Sequence, residues 1–170
     1  SIARAAGAHL FISLHADALA EGEATGATIY TLSDEASDEA SATLAERHDR
    51  DDLLAGVDLT EQDDLVATVL MDMARTETMP RTERLSVALE TAIKDAKIRM
   101  HRMPRQQAGF SVLKSPDIPS VLIELGFLSS ARDLARLVDP EWRAQMAQAL
   151  LNGVVAWVAE DAALSALRAD

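Results

Sequence analysis

A single carboxylate interrupts the apolar stretch IPSVLIELGFLSS at residues 118–130, and a single histidine ends another such stretch, FISLH, at 11–15. Along an extended chain Val121, Ile123 and Leu125 face one way, and Leu122, Glu124 and Gly126 face the other. A carboxylate buried without a partner is costly, so Glu124 pairs with a cation, binds a metal, or lies in a cleft at the mouth of a sheet. A buried ion pair with an arginine, or an edge strand that leaves the glutamate in water, would be purely structural. His15 closes its strand, where α/β proteins place functional groups in the crevice beyond the sheet. Neutral imidazole is a good zinc ligand, and the following Ala16, Asp17 and Ala18 keep the approach open. A hydrogen-bonded core histidine is the plainer alternative. One histidine and one glutamate are parts of a hydrolytic metal site, not the whole, because zinc normally takes three protein ligands. The other histidines read as bystanders. His9 begins the same strand too far from His15, His48 lies among charges in AERHDRDD on a solvated face, and His101 belongs to a basic helix.

The elements that would hold these residues can be read from period and punctuation. Residues 1–7 end a helix at Gly7, a good C-terminal stop. Strand character falls at 9–15, 26–32, 110–114 and 120–127. From Ser33, a plausible N-cap, a helix is expected with Ala36, Ala40 and Leu44 four apart, running to Leu54. A second helical stretch at 61–74 puts Leu65, Val66, Val69, Leu70 and Met73 on one face. After Pro80 a longer helix presents Leu85, Leu89, Ala92, Ala96 and Met100, and Pro104 stops it. A short helix spans 131–138, and Pro140 opens a long one with a buried stripe of Trp142, Met146, Leu150, Val154 and Trp157. Its tail, 163–170, is expected to fray. Strands apolar on both faces imply a sheet covered by helices on both sides, hence an α/β fold. The block at 34–104 is too long for a simple crossover and reads as a helical insertion between the second and third strands.

Composition narrows the function classes. A chain of 170 residues, 48% hydrophobic and 26% charged, fits one soluble domain with a real core. The absence of cysteine excludes disulfides and thiolate metal sites. No apolar run approaches the ~20 residues that span a bilayer, so no membrane span is expected. Of the net charge of −12, residues 34–64 carry −10, which argues against phosphate-backbone binding and against nucleic acid as a partner. The sequence opens on Ser1, and SIARAAGA reads as the last turns of a helix already under way. The chain is therefore expected to be part of a longer protein.

FISLHADA together with SPDIPSVLIELGFLSS resembles the zinc-dependent N-acetylmuramoyl-L-alanine amidases of bacterial cell-wall remodelling, the amidase 3 family. The likeness extends through GATIYTLS, AGFSVLK and the closing helix, so residues 1–162 resemble the C-terminal portion of an amidase catalytic domain. The acidic block, 35–80, looks like the regulatory helical insertion of the cell-division members, which lies over the active site until an activator removes it. The resemblance implies a mixed sheet flanked by helices and a zinc held by His, Glu and His. By motif His15 corresponds to the last of these ligands, and Glu124 to the catalytic glutamate. The other two ligands precede residue 1 in this family, which would leave His15 alone and the isolated chain inactive.

The same resemblance implies peptidoglycan hydrolysis at the amide between N-acetylmuramic acid and L-alanine, in the periplasm, for wall remodelling and daughter-cell separation. Glu124, made more basic by its apolar strand, would take a proton from water and pass it to the leaving amine. Counted by spacing from His15, Glu46 would occupy the open zinc position in the inhibited state, with Asp49, one turn on, as second choice. An activator protein would dock on the insertion. Two other readings remain at this level: another zinc peptidase on a similar sheet, or a catalytically inactive wall-binding or regulatory module.

Overall fold

The computed structural model describes residues 2–18, 24–54 and 65–169, without the side chains of residues 52, 53, 65–72, 168 and 169. The elements in chain order are α1 (Ile2–Ala5), β1 (Phe11–His15), β2 (Ala27–Leu32), α2 (Glu39–Leu54), α3 (Leu65–Asp95), β3 (Met100–Ala108), a 3-10 turn (Ser111–Leu113), β4 (Ser120–Glu124), α4 (Ala131–Leu137) and α5 (Pro140–Ala169). The four strands form one sheet in the order β1-β4-β2-β3. The Phe11 amide donates to Pro119 O and the Leu125 amide to His15 O, so β1 and β4 run parallel. Ala27 N–H to Arg99 O and Ser33 N–H to Ala108 O make β2 and β3 parallel as well. The sheet is mixed and the fold α/β, with α2 and α3 inserted between the second and third strands, as the sequence implied. Every residue of β4 is buried, so both its faces are covered. β1 is only half-buried, with Leu14 53% exposed, because it forms an edge of this sheet.

The residues group into two compact units, and each strand contributes to both. The first draws on the ranges 1–13, 30–82 and 106–122. In it Tyr30 meets Phe110 edge to face at 5.2 Å, and His48 lies tilted on Phe110 at 5.6 Å. The inward face of α2 is Ser41, Leu44, Ala45 and His48, which keeps Leu44 of the Ala36–Ala40–Leu44 stripe that the sequence suggested but replaces the exposed Ala40 with Ser41. Ser41 Oγ donates to Gln106 Oε1 at 2.6 Å, and both residues are buried. The helix begins at Glu39 rather than after Ser33, because Asp38 Oδ1 takes the Ser41 amide as an N-cap does. Arg4 binds Asp117 at 2.6 Å and holds that carboxyl below its ordinary value, against a smaller opposing effect of burial.

The second unit draws on 14–29, 83–105 and 123–170. Leu85, Leu89 and Ile93 of α3 are fully buried, and Gly153 of α5 brings a backbone surface to within van der Waals contact of Leu89. The α5 stripe largely follows expectation: Met146, Ala149 and Trp157 are buried, and Trp142, Leu150 and Val154 are half-buried. Arg84 donates to Asp161 Oδ1 at 3.1 Å, a partly buried pair between the same helices. Where no membrane span was expected from apolar runs, α5 over Pro140–Leu167 is long and apolar enough to cross a membrane by length and composition alone, a test that a core helix also passes. The reason is that alanine, leucine and valine fill its outer face too, with Leu151, Val155 and Val158 more than half exposed. The helix continues to Ala169, past the expected fraying point.

Three elements differ from the sequence reading for physical reasons. Pro80 does not divide α3, which runs unbroken through it. A single proline forfeits one helical bond. Nearby Thr78 Oγ1 donates to Ala74 O at 3.0 Å, and Arg75 reaches Lys114 O. The stretch 99–108 is not the end of that helix but strand β3, where His101 also lies. The helix stops instead in a Schellman turn, with Ile98 N–H to Ile93 O, Lys97 N–H to Lys94 O, and Lys97 at φ +59°. Pro104 is tolerated because β3 is an edge strand. Finally, 110–114 is a 3-10 turn rather than a strand: Phe110 and Leu113, three apart, are its buried residues. The stripe Leu65, Val66, Val69 and Leu70 lies outside the described side chains, and Met73 is exposed.

Candidate metal and catalytic site

His15 and Glu124 each end a strand, and those strands are parallel neighbours, so both side chains arrive at the same end of the sheet. Past the strands the two segments stay bonded, with Leu125 N–H to His15 O at 2.9 Å and Leu128 N–H to Asp17 O at 2.7 Å. Glu124 is fully buried, and its Oε2 accepts the Asp17 amide at 3.1 Å. His15, Asp17 and Glu124 each offer one ligand atom within 4.8 Å of the others. The sequence-predicted pair is therefore brought together, and Asp17 joins it. Asp17 had a signal in the sequence, two residues past His15, but it read only as a small, open flank.

A buried acid holds the loop beyond Glu124. Asp133, 2% exposed on the first turn of α4, accepts the Gly26 amide at 2.9 Å and the Phe127 amide at 3.1 Å on Oδ2. A Cβ on Gly126 would come within 3.1 Å of Asp133 Cβ, so a larger residue there would have to push the Asp133 side chain aside by a few tenths of an ångström. Ser130 caps α4 by accepting the Asp133 amide. Sequence reading missed Asp133, because an acid in a first helical turn is ordinary there.

The remaining predicted residues fall in the first unit. Glu46 is exposed on α2. Asp49 takes both donors of Ser111, the amide at 2.9 Å and the hydroxyl at 2.7 Å, tying α2 to the 3-10 turn. His48 is not on a solvated face: it is 7% exposed, because α2 turns it inward in line with Ser41, Leu44 and Ala45. His9 is exposed and precedes β1.

The donor set at His15, Asp17 and Glu124 is one imidazole and two carboxylates, nitrogen and oxygen ligands of the kind a zinc ion takes. Glu124 is buried and His15 and Asp17 are half-buried, and their mutually close placement fits such an ion.

The family described as N-acetylmuramoyl-L-alanine amidase matches residues 1–156. AmiA of Salmonella typhimurium, an N-acetylmuramoyl-L-alanine amidase, is 36% identical over 157 residues, covering 92% of this chain and 54% of AmiA. AmiC of Escherichia coli O6:H1 is 32% identical over 160 residues, covering 93% of this chain and 38% of AmiC. The chain thus spans about half or less of the length of these relatives. Among solved structures, the Mycobacterium smegmatis amidase Ami1 superposes with a TM-score of 0.62 at 15% identity, covering 94% of this chain and 58% of that one. The CwlD amidase of Clostridioides difficile, solved in complex with the GerS lipoprotein, gives 0.58 at 19% identity, covering 89% of this chain and 55% of CwlD. These likenesses carry the fold. On the strength of the family match and the amidase relatives, this chain belongs to the N-acetylmuramoyl-L-alanine amidase family.

Proposed function

We propose that the protein containing this chain is a zinc-dependent hydrolase of peptidoglycan that cuts the amide between N-acetylmuramic acid and L-alanine. The observation that carries this reading is the meeting of His15, Asp17 and Glu124 at the ends of two parallel strands, in a chain of this family. His15 and Asp17 would hold the ion. When bound, zinc supplies a Lewis acid that polarises a carbonyl and lowers the pKa of water. Glu124 acts as the general base: it takes a proton from the attacking water and returns it to the leaving nitrogen of L-alanine. The Asp17 amide fixes the orientation of that carboxylate. The products are a sugar strand with a free lactyl carboxylate and a peptide with a free L-alanine amino group. Peptidoglycan lies outside the cytoplasmic membrane, so the work is done in the periplasm, in wall remodelling and daughter-cell separation.

The acidic segment is proposed to regulate this activity and to dock an activator, on the strength of its −10 charge. The GerS complex of CwlD supports a protein partner for a relative of this fold. Because Ser111 holds Asp49, Glu46 is the carboxylate to test. The experiment incubates the full-length protein with purified peptidoglycan and follows new L-alanine amino termini. They are expected to appear, to stop on chelation and to return with zinc. Cleavage at another bond, or activity indifferent to chelation, would overturn the reading. In the same assay Glu46→Ala should raise the rate without an activator, and an unchanged rate would remove Glu46 from regulation.

A further inference from the structure

Behind the loop that follows Glu124 lies a cavity of about 420 Å³ lined by Ala24, Thr25, Arg99, Ser129, Ser130, Ala131 and Arg132. Two of its lining residues are arginines and three carry hydroxyls, and none is acidic, in a chain whose net charge is −12. Arg99 and Arg132 come from different elements, the turn before β3 and the first turn of α4, and both are exposed. Among the described residues neither forms an ion pair.

The walls are fixed, and both arginine side chains are exposed. Arg99 O accepts the Ala27 amide at 3.1 Å, which pins the turn before β3 to β2. Gly26, at φ +89°, lies so close to Met100 that a Cβ there would meet its carbonyl carbon at 2.5 Å. Asp133 then binds the Gly26 and Phe127 amides on one oxygen, locking the 24–26 wall to the 127–132 wall. Its charge is turned inward and 2% exposed, so it does not neutralise the cavity from its lining. Ser130 Oγ accepts from the Asp133 amide, which leaves its hydroxyl proton to donate. Two guanidinium forks beside hydroxyl donors match the planar, two-oxygen shape of a carboxylate.

We propose that this cavity binds a free carboxylate of the peptidoglycan stem peptide and so selects substrates by the charge of their peptide. This rests on the proposed amidase function and deepens it. Ser129 follows Glu124 by five residues, which bounds their Cα separation at about 18 Å, the reach of an extended peptide of about five residues. A stem peptide whose first amide lies at Glu124 can therefore extend a later carboxylate to the arginines. Arg99 and Arg132 touch only the peptide's far end and set KM rather than kcat.

The test uses the full-length protein and two muropeptides that differ only in whether the stem-peptide carboxylates are free or amidated. Hydrolysis is measured beside direct binding by calorimetry, for wild type, Arg132→Ala and Arg99→Ala/Arg132→Ala. Wild type is expected to favour the free carboxylate about tenfold in both Kd and KM, the ratio for one charge-assisted hydrogen bond at a partly open site. The double variant should lose that discrimination with kcat and melting temperature unchanged. Hydrolysis of both muropeptides by wild type without discrimination overturns this proposal and leaves the amidase reading standing. Failure to hydrolyse either, with the chelation test also negative, overturns the amidase reading. Discrimination that survives in the double variant places the carboxylate site elsewhere and overturns the proposal as well.

Discussion

Glu124 separates the chemical from the structural role most cleanly, because its burial and its bond to the Asp17 amide would suit either. Glu124→Gln keeps the volume and an oxygen that can still accept from Asp17, so the fold should survive with its melting temperature little changed. On the proposed mechanism it removes the base, so release of L-alanine amino termini by the full-length protein should fall by about 10²–10⁴. A folded variant with unchanged turnover would reduce Glu124 to a packing residue. His15 and Glu124 were legible because each breaks an apolar pattern, one by ending a strand and one from within it. Asp17 and Asp133 were not, because nothing in their neighbours marks which acids the fold will bring beside His15 or bury. His48 was misread for the converse reason: its neighbours in sequence are charged, but a helix places residues three and four apart together.

At the level of elements, two left-handed positions frame the second unit and predict opposite outcomes. Lys97 ends α3 at φ +59°, a conformation that costs a residue with a Cβ about 1 kcal/mol more than glycine. Lys97→Gly should raise stability by about 0.5–1 kcal/mol in a denaturant titration, after the extra entropy of an unfolded glycine is counted. At Gly26 the φ of +89° and the 2.5 Å approach to Met100 leave no space, so Gly26→Ala should lower stability by more than about 2 kcal/mol. If Lys97→Gly destabilises, the turn is not held as described. The same turn explains the principal misreading of an element. A glycine at 97 would have announced the end of α3, as Gly7 (φ +67°) announces the end of α1. With lysine there, residues 99–104 continue a helical pattern on paper, and β3 becomes visible only through its pairing with β2.

Over the whole molecule, acid should destabilise the protein in part through carboxylates that the fold holds ionised. Burial alone would raise the Glu90 carboxyl, but Lys94 and Arg105 outweigh it and hold the group below its ordinary value of 4.5. Arg105 is pinned in turn: burial would lower its pKa, and Glu83 and Glu90 raise it instead. Asp117 is held down first by its hydrogen bond from Arg4. A carboxyl whose folded pKa is depressed contributes stability above its unfolded pKa and loses it as pH falls through the folded one. The melting temperature should therefore be insensitive to these groups above pH ~5 and decline below ~4. Replacing Glu90 with Gln should flatten that decline by no more than about 1 kcal/mol, since solvent and salt screen Arg105 and Lys94. An identical acid profile in Glu90→Gln would show that the cluster carries no pH-dependent stability. By itself the sequence determined the α/β class, the inserted acidic helices, and the two strand-ending residues, His15 and Glu124, of the candidate site. Those features depend on local period and on single breaks in it, which neighbouring residues reveal. Only the tertiary structure decided that β1 and β4 lie side by side and so brought His15, Asp17 and Glu124 together. It also decided which acids are buried and where α3 gives way to an edge strand. Those outcomes depend on partners far along the chain, and the free energy of pairing and burial with them outweighs local propensity.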